Sequence, residues 1–327
     1  MTLTSKNKSP NAPHGGLRLG LCCMFASEPI RFRTTTASAM LRLGPRERLA
    51  RLAELCLINA DALRSALGYC AANGIGAFRV NSQILPIKTH PTVGYSVEEL
   101  PESNAIVARF RECGVFAREH DLRLSFHPDQ FVVLNSPNPL TLEHSLAEMA
   151  YQTEVAEWIG ADTINIHGGG AYGDKASALR VLRTTIANLP DRVRSRLTLE
   201  NDDKIYTPND LLPVCADTGV PLVYDAHHHR CCPDGATLEA ATEAAHATWG
   251  HREPLFHISS PREGWDGPKP QRHHDYIDAE DFPKEWLGWP LTVEVEAKAK
   301  ELAVARLQRD LLSVVGEAGK RGYTLPK

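Results

Sequence analysis

Short apolar segments alternate with longer helical patterns along almost the whole chain, and this alternation limits the possible folds more than any other feature. The short segments are rich in Val, Ile, Leu, Phe and Thr, and between them apolar residues return every three or four positions. Eight strands with intervening helices in 327 residues are typical of a closed (β/α)8 TIM barrel, an α/β fold. A doubly wound open sheet is the alternative, although no GxGxxG follows the first strand. The predicted strands begin at Leu17, Ala77, Leu122, Thr163, Leu197, Pro221, Leu255 and Leu291.

The domain organisation follows from the absence of a dividing linker rich in Gly, Pro or Ser. We expect a single barrel domain over residues 17–318, a disordered N-terminal tail over 1–16 and a C-terminal tail over 319–327. The N-terminal segment carries lysines but no apolar run, so we expect neither a signal peptide nor a membrane anchor. The expected location is therefore cytoplasmic, with no membrane partner.

Net charge and cysteine content place limits on partners and on covalent bonding. A formal charge of −4 argues against a protein that holds nucleic acid by bulk electrostatics, because that requires clustered Lys and Arg. It does not exclude DNA, since bound divalent metals add positive charge at one spot. The eight cysteines lack CxxC spacing, so we expect reduced, mostly buried thiols.

The carboxyl ends of six consecutive predicted strands, the third to the eighth, each bring a side chain that can bind a metal ion. In a barrel those ends converge on one pocket, on the face where catalytic residues gather. One His or Glu at a strand end is usually structural, but six in series are hard to explain in that way. These residues are His127, His167, Glu200, Asp225, His257 and Glu296.

The chemistry of these six residues predicts a cluster of two or three divalent ions at the C-terminal face. Imidazole and carboxylate without thiolate suit Zn²⁺, Mn²⁺, Fe²⁺ or Co²⁺, and the ligands are too many for one ion. Glu200 lies midway through the series and is the expected bridge. Such a cluster supplies a hydroxide near neutral pH and Lewis acids for a phosphoryl centre, which favours phosphodiester hydrolysis. A sugar isomerase with a similar ring stays open, and a noncatalytic metal module is least favoured because structural sites close with four ligands.

Seven motifs, in order and at separate strand ends, resemble those of the UV damage endonuclease family. The resemblance runs from about Leu17 to the helix after Glu296, which is nearly the whole chain. The motifs are SFHPDQFVVLNSP from Ser125, INIHGGGAYGDK from Ile164, LTLENDDKIYTPNDLLPVC from Leu197, VYDAHHHRCC from Val223, FHISSPR from Phe256, RHHDYID from Arg272 and VEAKAKELA from Val295.

The resemblance implies a TIM barrel related to endonuclease IV, with a metal cluster that is usually manganese. It implies an enzyme that nicks damaged double-stranded DNA immediately 5′ to a UV photoproduct, leaves a 3′-hydroxyl and a 5′-phosphate, and so opens excision repair. An abasic-site endonuclease of the same superfamily would share every metal ligand and stays open as an alternative. A lone barrel with its mouth facing DNA is expected to act as a monomer.

The resemblance also extends the set of site residues. Strand alternation alone would place Asp225, His227 and His229 on one face, but the DxxH spacing shared with the family selects His228. In RHHDYID the family spacing favours His273, with its neighbour His274 as the alternative. The implied metal ligands are His127, His167, Glu200, Asp225, His228, His257, His273 and Glu296, and catalytic roles are expected for Glu200, His257 and His90.

DNA contacts are expected at the strand ends as well. Gln130 and Phe131 match a pair that similar enzymes push into the duplex at the lesion, where a photodimer stacks and pairs poorly. Basic residues near the strand ends are candidates for contacts with the DNA backbone. They are Arg79, Lys88, Lys175, Lys204, Arg262, Lys269 and Arg272.

Overall fold

Eight parallel strands form one sheet in the computed structural model, which describes residues 16–320 of the chain. Every strand of the predicted barrel is present, so the predicted fold is confirmed. The tails predicted over 1–16 and 319–327 lie outside the described residues, except that residue 16 precedes the first strand and residues 319 and 320 belong to the last helix. The strands are β1 (Arg18–Cys22), β2 (Ala77–Val80), β3 (Arg123–Phe126), β4 (Thr163–His167), β5 (Leu197–Glu200), β6 (Leu222–Val223), β7 (Leu255–Ile258) and β8 (Thr292–Val295).

The strands follow one another around the barrel, and β1 pairs with both β2 and β8. The remaining seam lies between β6 and β7. Within residues 16–320, one parallel bridge between Asp225 and His257 joins these strands, and the backbone N–H of His257 donates to Tyr224 O at 3.0 Å. Strand β6 is shorter than predicted because Asp225 already caps a helix that begins at Ala226. The barrel is therefore nearly closed.

Helices cover the outside of the sheet, and the helix after β3 shows why these segments are helical. Asn138 accepts hydrogen bonds from Leu140 N and Thr141 N at 2.9 and 3.4 Å, and Pro139 occupies the first helical position. Gly160, in the left-handed conformation, ends the helix. The helices are α1 (Ala37–Leu41), α2 (Pro45–Ala72), α3 (Ser103–Glu119), α4 (Pro139–Ile159), α5 (Lys175–Ala187), α6 (Asp191–Arg194), α7 (Pro208–Thr218), α8 (Ala226–Cys231), α9 (Leu238–Ala247) and α10 (Glu301–Lys320).

Side chains alternate between the two faces of each strand, and this alternation separates the core from the site. In β4, Ile164 and Ile166 belong to the hydrophobic core between the sheet and the helices. Asn165 and His167 face the other way, into the barrel, where Asn165 Nδ2 donates to Glu200 Oε2 at 2.5 Å. The barrel interior therefore carries polar side chains towards its mouth, the end where the carboxyl ends of the strands lie.

Two further expectations concern the thiols and the membrane. All eight cysteines lie within the described residues, none is bonded to another and five are buried, as predicted. None of the helices between residues 16 and 320 combines the length and the apolar content needed to cross a bilayer.

Candidate metal centre

Glu200 ends β5 at the centre of the barrel mouth, and its side chain is completely buried. Three imidazoles contact its carboxylate: His127 Nε2 lies 2.9 Å from Oε2, and His257 Nδ1 and His228 Nδ1 lie 3.1 and 3.3 Å from Oε1. The strands on both sides of β5 thus deliver side chains to this one carboxylate. The glutamate expected to bridge metal ions has the central position that such a role requires.

Glu296, which follows β8, brings a second group of side chains together. His257 Nδ1 lies 3.5 Å from its Oε1, and His273 Nδ1 lies 3.7 Å from its Oε2. His257 therefore stands between Glu200 and Glu296. The rings of His127 and His257 stack with their centroids 5.8 Å apart, so both groups share one pocket.

Three sets of three side chains place ligand atoms within 4.8 Å of one another, close enough to hold a metal ion. The sets overlap, because His127, Glu200 and His257 each occur in two of them. Together they contain all six residues predicted from the strand ends, while His228 and His273 touch the sets through Glu200 and Glu296. The sets are His127, His257 and Glu296; His127, His167 and Glu200; and Glu200, Asp225 and His257.

The three consecutive histidines after Asp225 lie on a helical turn rather than on a strand. Asp225 caps α8, and its Oδ1 accepts a hydrogen bond from His228 N at 2.7 Å. His228 thereby faces Glu200, whereas His229 points away and is held by Tyr224 Oη at 2.8 Å and by an aspartate. The strand alternation that would group residues 225, 227 and 229 does not apply here. His227 is buried beside Trp265, with ring centroids 5.1 Å apart.

The structure also separates the two histidines of RHHDYID. His273 Nδ1 lies 3.3 Å from Ser259 Oγ and faces Glu296. His274 Nδ1 instead accepts from the backbone N–H of Tyr276 at 3.0 Å, and its side chain lines a different cavity with Arg306. The pocket with the metal-binding sets therefore contains His273 and not His274.

Several atoms of this pocket are buried without a hydrogen-bond partner. They include Asp225 Oδ2 and His167 Nδ1, and also Glu200 Oε1, whose two imidazole neighbours lie close to it without hydrogen-bond geometry. An unpaired buried polar atom costs about 1–3 kcal/mol, and native proteins contain few of them. Glu200 shares one metal-binding set with His167 and another with Asp225, so divalent cations held by these sets would satisfy the three atoms. The donors present therefore fit a metal cluster.

Outer hydrogen bonds of two histidines point to the same conclusion. His127 Nδ1 donates to Pro128 O at 3.1 Å, and His228 Nδ1 donates to Asn201 O at 3.0 Å. A metal-binding imidazole commonly donates its second ring N–H to a backbone carbonyl, which fixes its tautomer and orientation. In His127 this bond leaves Nε2, which lies 2.9 Å from Glu200 Oε2, as the ring nitrogen that faces the pocket.

Opposite charges keep the pocket ionised against the cost of burial. Burial raises the pKa of Glu200, but His257, His167 and His127 lower it more, and the pKa lies well below its usual range. Burial lowers the pKa of His257, whereas Glu200 and Glu294 together raise it more, to about 10. Since metal ligation needs an unprotonated imidazole, His257 would have to lose this proton in order to hold a metal ion.

Arg79 lies inside this pocket, with 8% of its surface exposed. Its Nη1 is 2.6 Å from Glu296 Oε1, its Nε donates to Glu294 Oε2 at 2.5 Å, and its Nη2 is 2.9 Å from His257 Nε2. The guanidinium therefore forms ion pairs with two carboxylates, those of Glu294 and Glu296. This placement corrects the expectation that Arg79 contacts the DNA backbone, because solvent hardly reaches the side chain.

Glu294 belongs to the site but was missed in the sequence. Ser125 Oγ donates to its Oε1, and burial raises its pKa, whereas Arg79 and His257 lower the pKa to about 2. The signal was present in VEVE, since alternation along β8 places Glu294 and Glu296 on the same face.

The pair predicted to enter the duplex lies on the surface beside the site. Phe131 is 76% exposed, which is the largest value among the large hydrophobic side chains of the described residues, and Gln130 is exposed as well. Both follow His127 in the loop between β3 and α4. The structure therefore brings an exposed apolar side chain to the rim of the candidate metal centre.

The remaining basic candidates differ in how free they are. Lys204 is 72% exposed, and its Nζ lies 3.6 Å from Asp203. Lys175 Nζ lies 2.6 Å from Asp210, and Lys88 Nζ, only 12% exposed, lies 3.3 Å from Glu154. The burial and ion pair of Lys88 leave it poorly placed for the predicted DNA contact. The exposed candidates also include Arg262, Lys269 and Arg272.

His90 lies apart from the three metal-binding sets. It lines a cavity of about 570 Å³ together with Lys88 and Phe131, in the loops after β2 and β3. Its Nδ1 accepts a hydrogen bond from Thr92 N at 3.1 Å. The structure thus places the predicted catalytic histidine beside the exposed aromatic residue rather than among the ligands.

Comparison with known proteins identifies the family. A family model described as UV-endonuclease UvdE matches residues 17–320. A UV DNA damage endonuclease of Deinococcus radiodurans is 37% identical over 303 residues, which cover 89% of this chain and 94% of that protein. The crystal structure of SacUVDE matches with a TM-score of 0.80 and 26% identity, over 93% of this chain and 99% of that chain. Endonuclease IV from Thermus thermophilus shares the fold, with a TM-score of 0.55 and 18% identity over 92% of this chain and 100% of that chain. The chain therefore belongs to the UV-endonuclease UvdE family.

Proposed function

We propose that this chain is a metal-dependent DNA repair endonuclease that cuts damaged duplex DNA immediately 5′ to UV photoproducts and acts as a monomer. Membership of the UV-endonuclease UvdE family supports action on UV-damaged DNA. The observation that carries the metal-dependent part is the buried carboxylate of Glu200, which three imidazoles contact and which belongs to two of the three metal-binding sets. The products of such a cut are a 3′-hydroxyl and a 5′-phosphate.

The ligand set fits two or three divalent ions, and we take manganese as the natural metal. Such ions supply Lewis acidity towards the phosphodiester and lower the pKa of a nearby water. Glu200 is shared by two of the metal-binding sets, which supports its role as the bridge. The residues that would hold the ions are His127, His167, Glu200, Asp225, His228, His257, His273 and Glu296.

The protein's own groups then position the DNA. Phe131 and Gln130 enter the duplex at the lesion, where poorly stacked bases are displaced at the lowest cost. His90 orients the phosphate, since it lies beside Phe131 and its Nδ1 is already fixed by a backbone N–H. Lys204 and Arg262 contact the DNA backbone from exposed positions at the rim. A pocket already lined by charged, oriented groups needs little rearrangement when DNA binds.

One assay tests the proposal against related activities. Labelled duplexes that carry a photodimer, an abasic site or no lesion are incubated with the protein in Mn²⁺ and in chelator. The proposal expects a nick 5′ to the photodimer in Mn²⁺ only, with product ends that a polymerase can extend. Preferential cutting at the abasic site would mean that the enzyme acts on abasic sites and not on photoproducts. Turnover of sugars without cutting of any duplex would overturn the proposed endonuclease function.

A further inference from the structure

Tyr172, in the loop between β4 and α5, has two features that the metal centre does not explain. Its φ of 49° lies in the left-handed region, which is unfavourable for a residue with a large side chain. Its aromatic side chain is nevertheless 50% exposed, so burial of the ring does not compensate for the strain. A strained backbone that presents an exposed ring points to a function for the ring.

The ring lies on the backbone of Gly170. A Cβ at Gly170 would be 2.7 Å from Tyr172 Cζ and 3.0 and 3.1 Å from the two Cε atoms. Such contacts with three ring atoms mean that one face of the ring covers Gly170, and only glycine leaves room for it. The opposite face is left towards solvent.

Gly170 is itself held in place from below. Its carbonyl accepts hydrogen bonds from Asn135 Nδ2 and Tyr206 Oη, both at 2.9 Å. Asn135 also donates to Gly168 O at 2.9 Å, and both Asn135 and Tyr206 are buried. The backbone under the Tyr172 ring is therefore held in place before DNA binds.

The same asparagine connects Tyr172 to the loop that carries Phe131. Asn135 lies four positions after Phe131, in the loop between β3 and α4. Both loops leave their strands at the mouth of the barrel, directly after the candidate ligands His127 and His167. Two exposed aromatic side chains thus stand on adjoining loops at one rim, and a buried side-chain amide joins those loops.

We infer that Tyr172 is a fixed platform on which one nucleobase of the bound DNA stacks. The inference rests on the proposed endonuclease function and adds a second aromatic contact to that of Phe131. A side chain inserted into a duplex opens the base stack and exposes base faces that are covered in B-form DNA. A flat ring with one free face suits such a base whatever its sequence, since every base has a π-face.

The variant Tyr172→Gly separates DNA contact from folding, because glycine removes the ring and relieves the left-handed strain together. Nicking of a photodimer duplex is expected to show a KM raised about tenfold, equivalent to about 1.4 kcal/mol, with kcat within about twofold. Tyr172→Phe retains the ring and is expected to keep KM within about twofold. The midpoint of thermal unfolding of Tyr172→Gly is expected to stay within about 2 °C of the original chain.

A base as the partner is tested with 2-aminopurine at successive positions around the lesion. Stacking quenches this fluorophore, so one position is expected to be brighter with Tyr172→Gly than with the unchanged protein. The control is Leu312→Ala, which alters a side chain that is also 50% exposed but lies on α10, and which is expected to change nothing.

An unchanged KM in Tyr172→Gly would overturn the inference, and so would equal brightness at every position. A loss of more than about 5 °C in the unfolding midpoint would assign Tyr172 a structural role instead. If the unchanged protein cuts no duplex, the proposed function fails and the inference fails with it. If the unchanged protein cuts but Tyr172→Gly matches it, the inference alone fails.

Discussion

Arg79 and Glu296 form a largely buried ion pair within the candidate metal centre, with Arg79 Nη1 2.6 Å from Glu296 Oε1. The same guanidinium pairs with Glu294 and contacts His257. It therefore supplies a fixed positive charge among the candidate metal-binding side chains. Removing one partner of such a pair costs about 3–5 kcal/mol, because the other charge stays buried.

Arg79→Met is expected to lower the free energy of unfolding by about 3 kcal/mol in chelator, since Glu294 and Glu296 lose their common partner. Added Mn²⁺ is expected to recover part of this loss, because the ions offer replacement positive charge. Urea unfolding with and without Mn²⁺ measures both quantities. The matched control Arg262→Met, at an exposed arginine, is expected to stay within about 0.5 kcal/mol. Equal stability of Arg79→Met and the unchanged protein in chelator would contradict the assigned role.

Glu200→Gln is expected to reduce nicking by at least about 100-fold. Loss of a residue that only hydrogen-bonds to a metal ligand costs about 10- to 100-fold, and loss of a ligand itself is expected to cost more. Metal content, measured by mass spectrometry after gel filtration, is expected to fall as well. Weak DNA binding is expected to persist, since the exposed rim is untouched. Undiminished nicking at saturating Mn²⁺ would remove Glu200 from the mechanism.

Phe131→Ala combined with Gln130→Ala is expected to leave the metal content unchanged and to weaken discrimination between damaged and undamaged duplex. The loss is expected to be about tenfold, since contact of one aromatic ring with a base is worth ~1–3 kcal/mol. The ratio of the two nicking rates measures it. Leu140→Ala, at another exposed apolar residue (64%), serves as the control. An unaltered ratio in the double variant would exclude insertion of this pair.

The neighbours His228 and His229 are expected to respond in opposite ways to alanine substitution. His228 contacts Glu200, so His228→Ala should bind less metal, while its free energy of unfolding in chelator should equal that of the unchanged protein. His229 bonds Tyr224 and Asp234, so His229→Ala should lose about 2–3 kcal/mol of stability and keep its metal. Calorimetric Mn²⁺ titration measures metal binding by both variants, and urea unfolding measures their stability. Loss of metal in His229→Ala together with loss of stability in His228→Ala would contradict these assignments.

Glu301 links α10 to the loop after β1 and gives stability that depends on pH. Burial raises the pKa of Glu301, but hydrogen bonds from Ala26 N and Ser27 N, both at 2.7 Å, contribute to lowering it below its usual value. A carboxylate whose pKa is depressed by folding stabilises the protein above its unfolded pKa of about 4.3, and this contribution disappears as the pH falls through the folded pKa. Glu301→Gln is therefore expected to cost about 1–2 kcal/mol at pH 7 and progressively less below about pH 4. A pH-independent difference between the two unfolding curves would contradict this.

The convergence of the six candidate ligands at the strand ends could be predicted because two regularities coincide. In a parallel barrel the carboxyl ends of all strands lie at one face. Side chains alternate between the two faces of a strand, so the outward apolar residues identify the last side chain that points inward. Ile164 and Ile166 mark the outward face of β4 and so assign Asn165 and His167 to the interior. Local pattern was sufficient where the fold itself brought the residues together.

Prediction failed where the outcome depends on partners that are distant in sequence. Arg79 and Lys88 look like free basic residues, but their partners Glu296 and Glu154 are identified only when strands and helices pack. Glu294 was overlooked because it lies two residues before Glu296 on the inward face of β8, deeper in the barrel than the expected ligands at the strand ends. Strand alternation would have grouped residues 225, 227 and 229, but it does not apply because a capped helical turn begins at Ala226. The DxxH spacing, which selects His228, agrees with that turn.

The seam between β6 and β7 connects the barrel's integrity to its chemistry. The residues that meet across it, Asp225 and His257, both belong to one set of side chains able to hold a metal ion. A transient opening of the seam would separate two members of that set while the apolar layer outside the sheet stays intact. The backbone amide proton of His257, which bonds across this seam, is thus a local reporter whose exchange with solvent deuterium registers the loading of the site.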